Sequence, residues 1–254
     1  MPEGITGVVW AFGWGLAAAS GVLVGTVLGL VTQLPHRAIA AVMSFGAGVL
    51  LSAASIKIAS EALIVAGTLF TGGGIIAGAA MFSMANAVFA AAKDRKRCGE
   101  CKQQPTEAEA PGSGTSIALG TALDAVPEAL VLGVTLQVSG PDVPLVVALA
   151  LSNVPEALSG TTGMRLASRS STYVLTVWSS IAVGTAATTA LAFCLLSDLS
   201  HDLTAVLKAF GAGALIAMAA ETMIPEAFHG GPRYSGVIAA SGFAALILLG
   251  EVVK

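Results

Sequence analysis

Eight long apolar stretches run along the chain, separated by short segments rich in polar residues, glycine or proline. A membrane-spanning helix needs roughly 20 predominantly apolar residues, and each stretch meets that length. Several are longer than a bilayer requires, which favours tilted helices. The pattern predicts an all-α integral membrane protein, one transmembrane domain over 1–254, with eight transmembrane helices at 5–32, 36–60, 62–92, 115–139, 143–166, 171–196, 203–228 and 234–253.

Composition supports a membrane environment and narrows the partners. Of the 254 residues, 55% are hydrophobic and 11% are charged, whereas soluble domains carry about 25% charged residues. The formal net charge is −3, which gives no basic surface for a nucleic-acid partner. We therefore expect membrane lipid as the main surroundings of the protein.

The basic residues are distributed unevenly between the two ends of the predicted helices. Lys and Arg concentrate in cytoplasmic loops of membrane proteins. We therefore predict a multi-pass protein of the cell (inner) membrane with both termini outside and a cytoplasmic linker at 93–114. Alternate connections hold nine of the twelve Lys and Arg residues, namely Arg37, Lys93, Arg95, Lys96, Arg97, Lys102, Arg165, Arg169 and Arg233.

Two internal repeats link parts of the chain. The sequence AVPEALVLG at 125–133 resembles NVPEALSG at 153–160, and five consecutive identical residues make coincidence less probable than kinship. A second pair begins with FGAG at Phe45 and at Phe210 and stays in register as far as Glu61 and Glu226. Shared Gly/Ala-rich composition explains this second pair as well as kinship does.

The second pair lies on predicted helices 2 and 7, which would cross the membrane in opposite directions. This is the arrangement of an inverted-topology repeat, whose transport site lies near the middle of the membrane. The prediction is an inverted repeat of predicted helices 1–3 and 6–8 around predicted helices 4 and 5.

Few ionisable residues interrupt the predicted helices, and charge within a span marks a functional site by default. Glu61 and Glu251 are close enough to predicted ends to be interfacial. Glu226, near an inner end, fits a protonated carboxyl hydrogen-bonded to a neighbouring helix. The remaining in-span charges are Lys57, Asp124, Glu128, Glu156 and Glu221.

Four of the polar residues pair by helical spacing. Asp124 and Glu128 are four residues apart, and Asn153 and Glu156 are three apart, so each pair shares one helix face. Carboxylates brought together repel one another unless they are protonated or bind a cation. Ser152 is either a minor ligand or a helix-packing serine, and packing is favoured.

A proline precedes each of the two motif glutamates. Pro127 and Pro155 lack an N–H and should kink their helices, which frees the carbonyls of Leu123 and Leu151. A freed carbonyl in lipid must find a partner. A divalent cation held by carboxylates, an amide and carbonyls would satisfy these groups together.

These motifs carry a family resemblance. Asp124-Ala-Val-Pro-Glu128-Ala and Ser152-Asn-Val-Pro-Glu156-Ala resemble the paired His-Asn-x-Pro-Glu-Gly signatures of helices 4 and 5 in the ZIP family of divalent-metal transporters, in its bacterial branch. The resemblance extends over nearly the whole chain. It implies eight helices, outward termini, a possible homodimer and import of a metal ion as substrate.

The chain departs from the family pattern at the metal ligands. Asp124, Ala125 and Ser152 stand where the family has histidine, asparagine and histidine. The site would then offer only oxygen, which suits harder ions such as Mn²⁺ better than Zn²⁺. All three histidines fall at predicted helix ends: His36, His201 and His229.

Lys57 has two interpretations. The resemblance suggests a tethered cation in place of a second metal, paired with Glu156 or Glu221, and Glu221 is then either ligand or charge partner. Alternatively, Lys57 extends its ammonium to the outer surface. The motif Cys98-Gly-Glu-Cys101 in the linker supplies two thiolates, half of a structural zinc site, and is more easily explained as incidental.

The sequence therefore predicts a transporter of divalent transition-metal ions (Zn²⁺, Mn²⁺ or Fe²⁺) into the cytoplasm, with no organic cofactor and no enzymatic activity. The alternative is a degenerate ZIP-like protein that binds metal as a sensor or scaffold without transport. An intramembrane metallohydrolase is disfavoured, because that class typically uses histidine ligands.

Overall fold

The computed structural model describes residues 4–91, 113–197, 199–228 and 231–252, and this part of the chain is almost wholly helical and contains no strand. Nearly all of the predicted linker 93–114, with Cys98 and Cys101, lies outside these ranges, as does His229. The α-helices are α1 (Gly4–Val31), α2 (His36–Ser52), α3 (Ser60–Ala91), α4 (Ser113–Ser139), α5 (Val143–Leu166), α6 (Ser171–Leu195), α7 (His201–Met218), α8 (Ile224–Phe228) and α9 (Ser235–Val252).

Within the described ranges, seven continuous helical runs are long and apolar enough to cross a membrane, so the chain is a multi-pass membrane protein. Two π-helical segments join α-helices within these runs. The segment π1 (Ala53–Ala59) connects α2 to α3, and π2 (Ala219–Met223) connects α7 to α8. A π-helix widens the turn and changes the direction of the side chains that follow it.

One of the seven runs extends over 53 residues, His36–Val88, where the sequence predicts two helices. The helix continues past the predicted boundary at residue 61. Its non-helical residue is Gly67, with φ 73° and ψ 173°, a conformation that glycine adopts without a Cβ clash. The predicted boundary at residue 61 was wrong, because the helix is interrupted at Gly67, where glycine accommodates the positive φ.

The helices pack into two groups. The first, the site bundle, comprises α1, α4, α5 and α6, in which α1 packs on α5 and α6, and α4 packs on α6. The second, the flanking bundle, comprises α2, π1, α3, α7, π2, α8 and α9, in which α3 packs on α7 and α2 on α9. Contacts of α2 with α5 and of α4 with α7 join the two bundles.

Glycine permits the tightest contacts within each bundle. A Cβ added at Gly21 of α1 would lie 1.8 Å from the carbonyl oxygen of Ala150 on α5. A Cβ at Gly78 of α3 would lie 1.8 Å from the carbonyl oxygen of Phe210 on α7. Small residues let helix backbones approach closely in lipid, so these positions set the separation of the helices.

Candidate functional site

Glu128 of α4 forms the centre of a buried polar cluster. Only 2% of its surface is exposed. Asn153 of α5 donates from Nδ2 to Glu128 Oε2 at 2.8 Å, and Ser152 donates from Oγ to Glu128 Oε1 at 3.3 Å. The two VPEAL motifs thus meet, the carboxylate of one facing the polar residues that precede the other.

The backbone of α5 orients these donors. The carbonyl oxygen of Leu149 accepts a bond from Asn153 Nδ2 at 2.8 Å and from Ser152 Oγ at 3.0 Å. Because Asn153 uses both amide protons, on Leu149 and on Glu128, its carbonyl oxygen Oδ1 is the atom left to bind a cation.

Asp124 lies one helical turn before Glu128. It is buried, and α4 runs without interruption through both residues. Because they are four residues apart on one helix, the two side chains share a face, and their carboxylates would repel each other when both are charged. Cation binding or protonation would relieve the repulsion.

The other predicted site residues of α5 and the two prolines are also located. Glu156 is half-buried, and Pro127 and Pro155 are buried within continuous helices. Throughout the described ranges, no three His, Cys, Asp or Glu side chains are grouped so that they could hold a metal ion. In this conformation the predicted site residues that meet are Glu128, Asn153 and Ser152, and the full ligand set stays a prediction.

Lys57 has a different partner from the two that were predicted. Its Nζ lies 2.9 Å from Asp142 Oδ2, and its side chain is 38% exposed. The prediction of Glu156 or Glu221 as the ion-pair partner was wrong. Asp142 lies in the short connection between α4 and α5, next to π1. It was not considered as a partner because it lies outside the apolar spans.

Glu221 belongs to the flanking bundle. It is exposed and accepts hydrogen bonds from Ser83 Oγ and, at 2.8 Å, from Asn86 Nδ2, both on α3. These donors, rather than Lys57, are its neighbours. Glu226 accepts a bond from Ser159 Oγ of α5, in agreement with the predicted hydrogen bond to a neighbouring helix.

A second ion pair was missed altogether. Lys208 of α7 is 5% exposed, and its Nζ lies 3.0 Å from Glu61 Oε2. The available signal was a lysine five residues inside a predicted span, because an ionisable residue at that depth needs a partner. Glu61 thus has a charge partner within the protein, while its own side chain stays 38% exposed.

Comparisons with known proteins leave the family assignment as a hypothesis. The chain matches no protein-family model and no curated protein.

Proposed function

We propose that this chain is a ZIP-type transporter that moves a divalent transition-metal ion across the membrane into the cytoplasm, with the ion as its substrate. The observation that carries the proposal is the buried Glu128 carboxylate, held by Asn153 of the matching motif on the next helix. A carboxylate at this depth, with a second one a turn away, is costly without a cation.

The ligand atoms of the Glu128 cluster favour hard divalent ions. Carboxylate, amide and hydroxyl oxygens are hard ligands, which suit Mn²⁺ more than soft ions. Asp124 and Glu128 would supply the charge, and the Asn153 oxygen would complete one side of the coordination shell. Glu156, Ser152 and Glu221 remain proposed ligands for other stages of transport.

The helix packing supports an inverted repeat, with eight spans if Gly67 separates two of them. Exchanging α1 with α6, α2 with α7, α3 with α9 and α4 with α5 converts the principal contacts into one another and leaves the α1–α6 contact unchanged. The α1–α5 contact becomes α6–α4, α2–α9 becomes α7–α3, and α2–α5 becomes α7–α4. Random packing of similar helices would not produce this correspondence.

The π-helical segments support the same repeat. The register that aligns Phe45 with Phe210 carries π1 (Ala53–Ala59) onto 218–224, and π2 (Ala219–Met223) falls within that range. We propose that the repeats frame the ion site, with both termini outside and the linker 93–114 in the cytoplasm. Transport would proceed by rocking of the site bundle against the flanking bundle.

Uptake of metal into proteoliposomes tests the proposal. Mn²⁺, Fe²⁺, Zn²⁺, Co²⁺ and Cd²⁺ are supplied in turn to vesicles containing the protein or its Asp124→Ala/Glu128→Ala variant. We expect saturable uptake of at least one ion, abolished in the variant. Binding without uptake would favour the sensor or scaffold instead, and absence of both would refute the metal site.

The two donors to Glu128 should differ in importance. Asn153→Ala should weaken the apparent affinity of uptake about tenfold to a hundredfold, the range for a residue that binds or orients a metal ligand. Ser152→Ala should have a smaller effect, because its hydroxyl lies farther from Glu128, at 3.3 Å, and is shared with the Leu149 carbonyl. KM values for uptake of the same ion measure both, and equal effects would contradict the assigned roles.

A further inference from the structure

The ion pair between Lys57 and Asp142 crosses from one bundle to the other. Lys57 lies in π1 of the flanking bundle, and Asp142 is the N-cap of α5 in the site bundle. Asp142 uses its two oxygens separately: Oδ1 accepts the bond from Leu145 N at 3.0 Å, and Oδ2 lies 2.9 Å from Lys57 Nζ. Lys57 therefore connects the flanking bundle to the first turn of the helix that carries Asn153.

The second ion pair has the opposite relation to the bundles. Glu61 follows Lys57 by four residues, yet its partner Lys208 belongs to the same flanking bundle. Relative motion of the bundles would separate Lys57 from Asp142 and leave Glu61 with Lys208. One short segment thus carries an ion pair that such motion breaks and another that it preserves.

We propose that Lys57 and Asp142 form a latch that holds the two bundles together at the α4–α5 loop end, the end predicted to face outside. This inference rests on the proposed transport function, since it assumes that the bundles move. With the latch closed, the outer approach to the ion site is narrowed, and breaking the ion pair is a step in opening it. The latch sets the balance between closed and open forms, as any contact present in only one of two states does.

Distances between spin labels in the full chain, reconstituted in lipid, test the latch. The cysteines at 98, 101 and 194 are replaced by serine, and labels are attached at Ile64 and Ser139, exposed residues near the loop end in the flanking and site bundles. Asp142→Asn is the chosen variant, because asparagine caps a helix as well as aspartate does and removes only the charge.

We expect Asp142→Asn to raise the ratio of long to short label distances about twofold to fivefold, as suits a partly exposed ion pair. Lys57→Met should give the same increase, and Lys57→Arg should leave the wild-type distribution. Glu61→Gln is the matched control: it breaks an ion pair inside one bundle and should leave the distances unchanged.

Two results would overturn the latch: an unchanged distribution in Asp142→Asn, or an equal broadening in Glu61→Gln, which would indicate general loosening. These distances need no metal uptake. A protein that fails to transport but responds to Asp142→Asn would therefore refute the proposed function and not the latch, and the reverse pattern would refute the latch alone.

Discussion

Glu128→Gln should reduce metal uptake by about a hundredfold or more. The substitution keeps the size and planarity of the side chain. It removes the negative charge that offsets the free-energy cost of taking the cation out of water. Changes to residues that merely orient a ligand cost tenfold to a hundredfold in affinity, and loss of a charged ligand should cost at least as much. Initial rates of uptake at fixed ion concentration, with equal amounts of reconstituted protein, measure the effect.

Glu251→Gln provides the matched control for Glu128→Gln. It also converts one glutamate to glutamine, but Glu251 is exposed at the end of α9. We expect its uptake to match the wild type. If Glu128→Gln transported at the wild-type rate, the buried carboxylate would have no part in binding the ion.

Gly78→Ala should prevent the protein from reaching its native packing. The added Cβ would lie 1.8 Å from the carbonyl oxygen of Phe210 and 2.7 Å from its carbonyl carbon. Both are backbone atoms, so no change of rotamer relieves the clash, and α3 must move away from α7. We expect the free energy of unfolding to fall by about 3 kcal/mol or more, at the upper end of the effects of overpacking. A lower yield of monodisperse protein and a lower midpoint of thermal unfolding would report this loss.

Gly72→Ala is the matched control on the same helix. It makes the same glycine-to-alanine change at a position of α3 that has no close neighbour among the described residues. No atom comes within 4 Å of a Cβ at Gly72. Alanine in place of a helical glycine favours the helix by about 0.5–1 kcal/mol, so this variant should be as stable as the wild type or slightly more so. A Gly78→Ala protein that behaved like Gly72→Ala would contradict the close packing of α3 on α7.

The helical, multi-pass architecture could be predicted because hydrophobic length alone decides what can cross a bilayer. The same rule does not fix where one span ends within a long apolar run, and it led to a predicted boundary at residue 61. The helix instead breaks at Gly67, where a positive φ is needed. The ion pair between Glu61 and Lys208 of α7 cannot be predicted by a rule that examines one helix at a time.

The meeting of Glu128 with Asn153 was predictable in kind, because repeated motifs on adjacent helices suggest a shared site. Its geometry was not, because which donor faces which oxygen depends on the rotation of both helices. The partner of Lys57 was missed for a related reason. Asp142 belongs to a connection, and a search confined to in-span charges does not include it.

The bond from Asn153 to the Leu149 carbonyl has a consequence for discrimination. An amide group has a hydrogen-rich end and an oxygen end, and a freely turning one would offer either to an approaching ion. Here the backbone accepts from Nδ2 at 2.8 Å, which holds the amide in one of its two orientations. If the cluster binds a cation as proposed, the amide oxygen would already face the ion without reorientation, and this fixed dipole would add to the repulsion of anions by Asp124 and Glu128.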